Sequence, residues 1–223
     1  MGIELTSLDQ REILRYLGCR EQVPPEELTR EVSRCSRLLL ETARPKTVWR
    51  LMELRGTHVE GTAITLMGED IRRHLADCSQ VILMAATLGP EAERLLMRSQ
   101  VQDMAQALIL DSCASAAIEA VCDRLEEQLR LRFQEAGRYL TDRFSPGYGD
   151  FPIGQQPELC TLLDTQRRIG LTLSASNILI PRKSVTAVLG VADTPRHRRN
   201  HGCQGCAMYE HCEMRKGGTP CGG

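Results

Sequence analysis

The sequence predicts a mixed α+β domain, a partly antiparallel twisted sheet packed with helices, followed by a short cysteine-rich tail. Three observations carry this. Helix-like and strand-like periodicities alternate in the first part of the chain. The last strand-like runs lie close together, which favours antiparallel neighbours. From about Thr194 the apolar patterning stops, so residues 1–193 read as the domain and residues 194–223 as an appended module with little core of its own. At 223 residues and 42% hydrophobic content, a sizeable core is available.

The elements follow in order. "SLDQREILRYLG" opens with Ser7 and Gln10 at capping-box spacing, places Ile13, Leu14 and Leu17 on one helical face, and stops at Gly18. "VPPEELTREVSRCSRLLLETA" puts Pro25 at a first helical turn and spaces Leu28, Val32, Cys35 and Leu39 by three and four. "KTVWRLMEL" and "GTAITLM" read as strands, and "GEDIRRHLADC" as a short helix. "SQVILMAATLG" is an apolar run of buried-strand length, ended by Gly89-Pro90. A helix starts at Pro90. A long one follows over roughly 102–135, with a first half rich in Ala, Ser and Cys that lets neighbours approach and a charged second half. "RYLTDRF" reads as a strand, "QQPELCTLLDTQRRIG" as a helix, and "LTLSASNILI" and "KSVTAVLGVAD" as strands.

Composition excludes several functions. The formal net charge is −1 and aromatic residues make up 4%, too little basic field or stacking surface for nucleic acid as the main partner. The N-terminal segment has acids where a basic signal region would stand, and runs such as "VILMAA" are too short to span a bilayer. "MGIELT" matches the brief myristoylation pattern only as such patterns arise by chance. A cytoplasmic protein without a membrane partner is expected. Six cysteines are scattered (Cys19, Cys35, Cys78, Cys113, Cys122 and Cys160) and read as small buried hydrophobes of a reducing compartment. His58 and His74 stand alone, and no acid–base dyad, G-x-G-x-x-G or Walker A run is present.

"DRFSPGYGDFPIGQQ", residues 142–156, carries more than a chain reversal needs. Pro146-Gly147 suits the central positions of a type II turn, and Gly149 permits close approach to the backbone. The Arg143 fork can hold a carboxylate. The Tyr148 ring can face a cation or an adenine. Asp150 can accept from an ammonium or a ribose hydroxyl. On residues alone, a structural turn with ordinary surface charges fits as well.

"RFSPGYGDFP" resembles the Arg-x-Ala-Pro-Gly-Tyr motif of the activation domain of cobalamin-dependent methionine synthase. "LCTLLDTQRRIGLTLSASNILIPRKSVTAVLGV" is similar to the helix and strands that follow it there, so this likeness covers about residues 138–192. With "AATLG", "RFSPGYGD", "PRKSV" and terminal cysteines, nearly the whole chain resembles the stand-alone activation proteins of anaerobic bacteria. The resemblance implies binding of S-adenosylmethionine (SAM) through Arg143, Ser145, Gly147 and Tyr148. Ser145 stands where the fused domain has alanine, at a contact made mainly by backbone. Asp150 is outside the fused motif, and the acidic residue of the fused domain's start has no placed counterpart. The implied reaction is repair: an electron and the SAM methyl return cob(II)alamin to methylcobalamin on a partner methionine synthase subunit, with little turnover alone. Catalysis is then by positioning. The Asp-x-His-x-x-Gly motif of corrinoid-binding domains is absent, so cobalamin is expected on the partner.

In the tail, Cys203, Cys206 and Cys212 have C-x2-C-x5-C spacing, and eight residues separate Cys212 from Cys221. Thiolates this close suit an iron–sulfur cluster or zinc, with His201 and His211 as spare ligands, while free thiols in an unstructured end also fit. An iron–sulfur cluster would suit the reaction, which needs an electron donor. Arg196, Arg198, Arg199, Arg215 and Lys216 outweigh Glu210 and Glu213 here, either as a solvated basic tail or for an acidic partner. Two other functions remain open: a SAM-binding electron-transfer activator of another corrinoid methyltransferase, and a zinc-stabilised interaction module without catalysis.

Overall fold

The computed structural model describes residues 3–19 and 24–195. Helices α1 (Gln10–Tyr16) and α2 (Glu26–Thr42) precede strand β1 (Lys46–Arg55), the short β2 (His58–Val59), helix α3 (Glu69–His74) and strand β3 (Cys78–Thr87). Helices α4 (Pro90–Gln102) and α5 (Met104–Glu135) lead to β4 (Tyr139–Leu140). A 3₁₀ turn (Ile153–Gln155) opens α6 (Gln156–Leu163); then come α7 (Thr165–Ile169), the β5 (Thr172–Leu173) and β6 (Leu179–Ile180) hairpin, and β7 (Ser184–Ala192).

One five-stranded sheet runs in the order β2-β1-β3-β7-β4, and every pairing in it is antiparallel. The expected α+β class holds, with the sheet wholly rather than partly antiparallel. β3 is its centre and alternates between two cores. Ile82, Met84 and Ala86 face the layer of α1, α2, α4 and α5. Val81, Leu83 and Ala85 face the layer built from α3, α6 and α7. Each fully buried Leu or Ile in such a strand contributes about 1.5–3 kcal/mol by leaving water.

Local chemistry sets the boundaries. Asp9, not Ser7, caps α1 by accepting from Arg11 N at 2.8 Å. The expected helix over 155–170 is two, because Asp164 takes a left-handed conformation (φ 49°) between α6 and α7. The expected strand in 61–67 is reduced to a single bridge of Thr65 to His58. The small-residue half of α5 is packed as its composition implies: Ala107, Ser112, Cys113, Ala114, Ala116 and Ala117 are all buried. By length and composition α5 could cross a membrane, but 61% of its most apolar window is buried inside this fold. Five scattered cysteines (Cys35, Cys78, Cys113, Cys122 and Cys160) are buried free thiols, and Cys19 is half-buried. Burial pushes the Cys35 thiol up to about 11 and that of Cys122 up to about 12, so both stay protonated and inert at neutral pH.

Gly190 in β7 is required by packing rather than by conformation. A Cβ there would lie 2.5 Å from Cys78 Sγ and 3.0 Å from Leu75 Cδ2. Gly190→Ala is expected to destabilise the fold by about 1–3 kcal/mol in denaturant unfolding. The cost should shrink in a Cys78→Ala background, and an equal cost in both would contradict this packing account.

Candidate ligand-binding loop

The candidate site begins where β4 leaves the outer edge of β7. Tyr139 and Leu140 pair with Ala192 and Val191, Thr141 N donates to Gly190 O at 3.0 Å, and Phe144 bridges to Val188. Beyond Phe144 the chain turns away, and among the described residues no strand continues along that edge toward Ser184. The turn is the one the sequence implies. Pro146 is buried, Gly147 has φ +95°, and Tyr148 N donates to Ser145 O at 3.2 Å. Gly147 N reaches Phe151 O at 2.8 Å and Phe151 N reaches Tyr148 O at 3.0 Å, so the crest is closed by its own backbone. Tyr148 stands 69% exposed on that crest.

One end of the loop is fastened to α5. Arg143 Nη2 lies 2.7 Å from Asp123 Oδ1 and 3.2 Å from Glu119 Oε2, and Nη1 lies 3.2 Å from Glu126 Oε2. Glu126 also holds Arg130 at 2.5 Å, and Arg130 in turn binds Asp142 and the carbonyls of Leu140 and Thr141. Glu119, Asp123, Glu126 and Arg130 are spaced by four, three and four, the period of one helix flank. Burial works against the charge on Arg143, and the acidic groups around it, Cys122, Glu126 and Asp123 in that order, together more than restore it, so its pKa is raised. Burial pushes the Glu119 carboxyl up, against the pull of Arg143. Arg143 Nη1 is buried without a hydrogen-bond partner. Sequence reasoning gave Arg143 a ligand carboxylate; the structure seats its guanidinium against protein carboxylates.

The other end is fastened to α3. Asp150 accepts from Glu69 N at 2.7 Å and Asp70 N at 2.9 Å, supplying the cap that Gly68 cannot. Asp70 returns a contact, its Oδ2 lying 3.3 Å from Asp150 N. Gly68 (φ +124°) and Gly149 (φ +54°) make room for this exchange; a side chain on either would collide with the opposing aspartate. Asp150, assigned by sequence to an ammonium or ribose hydroxyl, therefore spends both oxygens on a helix terminus. Beneath the crest, Phe144 stacks between His74 (5.1 Å) and Phe151 (6.1 Å). His74 Nε2 is 2.8 Å from Asp142 O and from Thr141 Oγ1, so this histidine supports the loop. His58 Nδ1 lies 3.3 Å from Thr65 Oγ1.

Arg143, Ser145, Gly147, Tyr148 and Asp150 are thus gathered on one loop. Cys203, Cys206, Cys212 and Cys221 lie outside the described residues. Among the described residues no group of three or more His, Cys, Asp or Glu could hold a metal. The α5 acidic stripe was missed by sequence reasoning, although its spacing is visible in "EAVCDRLEEQLR". Chemically, the loop offers backbone polar groups, an aromatic face and a buried cation beside an open sheet edge. It can hold and orient a ligand, and it contains no nucleophile with a base.

No family model matches the chain, and no curated protein matches it. Among solved structures it is similar to the crystal structure of the MetH reactivation domain bound to AdoHcy, with a TM-score of 0.58 and 16% sequence identity. The match covers 85% of this chain and 71% of that one. The chain therefore has a reactivation-domain-like fold, the α+β architecture derived above.

Backbone amides hold the Asp150 carboxyl below its ordinary range. A depressed carboxylate stabilises the fold above its unfolded-state pKa, and that contribution is lost as pH falls through the folded value. Acid unfolding should therefore begin at higher pH in Asp150→Ala, as followed by circular dichroism. An unchanged acid limb would show that the α3 cap adds nothing to the fold.

Proposed function

We propose that this chain is a SAM-binding reactivation protein acting on a cobalamin-dependent methionine synthase carried by a separate subunit. The observation that carries the reading is the Arg143–Tyr148 turn, set on the open edge of a sheet whose fold is that of a reactivation domain. The bare Gly147 crest and the exposed Tyr148 ring fit a ligand with an adenine and a sulfonium. The Arg143 guanidinium, ion-paired with Glu119, Asp123 and Glu126 of α5, offers a cation to an arriving carboxylate. For that contact the ligand carboxylate displaces a carboxylate of α5 from the guanidinium.

In the reaction, one electron takes cob(II)alamin on the partner to cob(I)alamin. Cobalt then forms a bond to the SAM methyl carbon as the sulfur–methyl bond breaks, its electron pair passing to sulfur, and S-adenosylhomocysteine leaves. The chain's part is to bind SAM, aim the methyl at the partner and keep water out. The electron donor is proposed to work through the tail, whose thiolates suit iron and sulfide. Protein purified without oxygen is expected to contain both, and zinc without sulfide would instead support the interaction module. A cytoplasmic setting agrees with this chemistry.

Calorimetric titration with SAM tests the proposal. Saturable binding is expected, weakened about 10–100-fold in Arg143→Ala, the loss of one charge-assisted contact of about 1.5–3 kcal/mol. Tyr148→Ala should weaken it less, with the fold intact. Absence of binding both alone and with the cobalamin-loaded partner would contradict the proposal.

A further inference from the structure

A second concave site lies away from the loop. Where α2 ends and β1 begins, a cavity of about 620 Å³ opens, within the size range of small-molecule sites. Its apolar wall includes Leu39, Ala43 and Ile169, all buried. Its polar lining is lopsided: Arg44, Lys46 and Arg168 against the single carboxylate of Glu4. The residues come from both layers, with Ala43 in the α2 layer and Ile169 in the α7 layer.

Arg44, Lys46 and Arg168 form no salt bridge among the described residues, which is also true of Arg11, Arg37, Arg50, Arg98, Arg124 and Arg132; what sets the three apart is that they line one cavity. Arg44 is oriented by the chain: its Nη1 donates to the carbonyls of Glu41 and Ala43, both at 2.8 Å. The cavity and the candidate loop use different residues of α5. Ala117 lines the cavity, while Glu119 and Asp123 on the same helix hold Arg143.

We propose that this cavity binds an anion with an apolar body, its carboxylate or phosphate at Arg44, Lys46 and Arg168 and its body against Leu39, Ala43 and Ile169. The apolar wall supplies burial and the cations supply selection for charge. The inference does not depend on SAM binding by the loop.

The test uses 8-anilinonaphthalene-1-sulfonate, an anion with an aromatic body, and the neutral N-phenyl-1-naphthylamine of similar shape. The full chain should bind the anion saturably at one site, at least about tenfold more tightly than the neutral probe. Lys46→Glu with Arg168→Glu, both at exposed side chains, should weaken it about tenfold or more with an unchanged thermal midpoint. Arg143→Ala should leave the affinity unaltered. Displacement by decanoate would assign a carboxylate amphiphile, and displacement by AMP a phosphate. No saturable binding, equal affinity for the neutral probe, or full affinity in the charge-reversed variant would overturn the proposal. SAM titration of the charge-reversed variant separates the two sites: retained SAM binding means that a failure here leaves the loop's function standing.

Discussion

β3 is buried on both faces, and that constraint organises the rest. A strand with Ile82 and Met84 on one side and Val81 and Leu83 on the other must be covered twice. α2, α4 and α5 supply one cover, α3, α6 and α7 the other. β7, beside β3, is nearly as buried, and the short β4 covers only the far part of its outer edge. The chain leaving β4 is thereby placed at an open sheet edge between two helical layers. The loop ties them together, holding α5 through Arg143 and α3 through Asp150.

That double attachment explains why the loop can be a site and a structural element at once. Glycines and a proline fix the crest, and polar side chains at its two ends are committed to helices. What remains exposed is backbone and the Tyr148 ring. A surface of this kind changes little on meeting a ligand, which lowers the ordering cost of binding. Arg143 is the exception. Its charge is satisfied within the protein by α5, so under the proposed function a ligand carboxylate would have to exchange with one of those on the helix.

Much of this was legible in the sequence because it rests on local rules. The apolar run "VILMAAT" reads as a two-sided strand, Pro146-Gly147 as a turn, and the Ala- and Ser-rich stretch of α5 as a close-packing face. Contacts between distant segments were not. Asp150 looks like a ligand group from its neighbours, and its role as the cap of α3 depends on Gly68, 82 residues earlier. The α5 stripe reads as a solvated face until the fold places Arg143 beside it. The break at Asp164 depends on a left-handed residue within a helical pattern, which periodicity does not reveal.

The most direct measurement of the central claim, that the loop is the ligand site, is amide hydrogen exchange with and without saturating S-adenosylhomocysteine. Slower exchange is expected at Gly147, Tyr148 and Phe151 and, through the Asp150 cap, at Glu69 and Asp70. Saturable binding with protection elsewhere and none in residues 143–151 would contradict the claim.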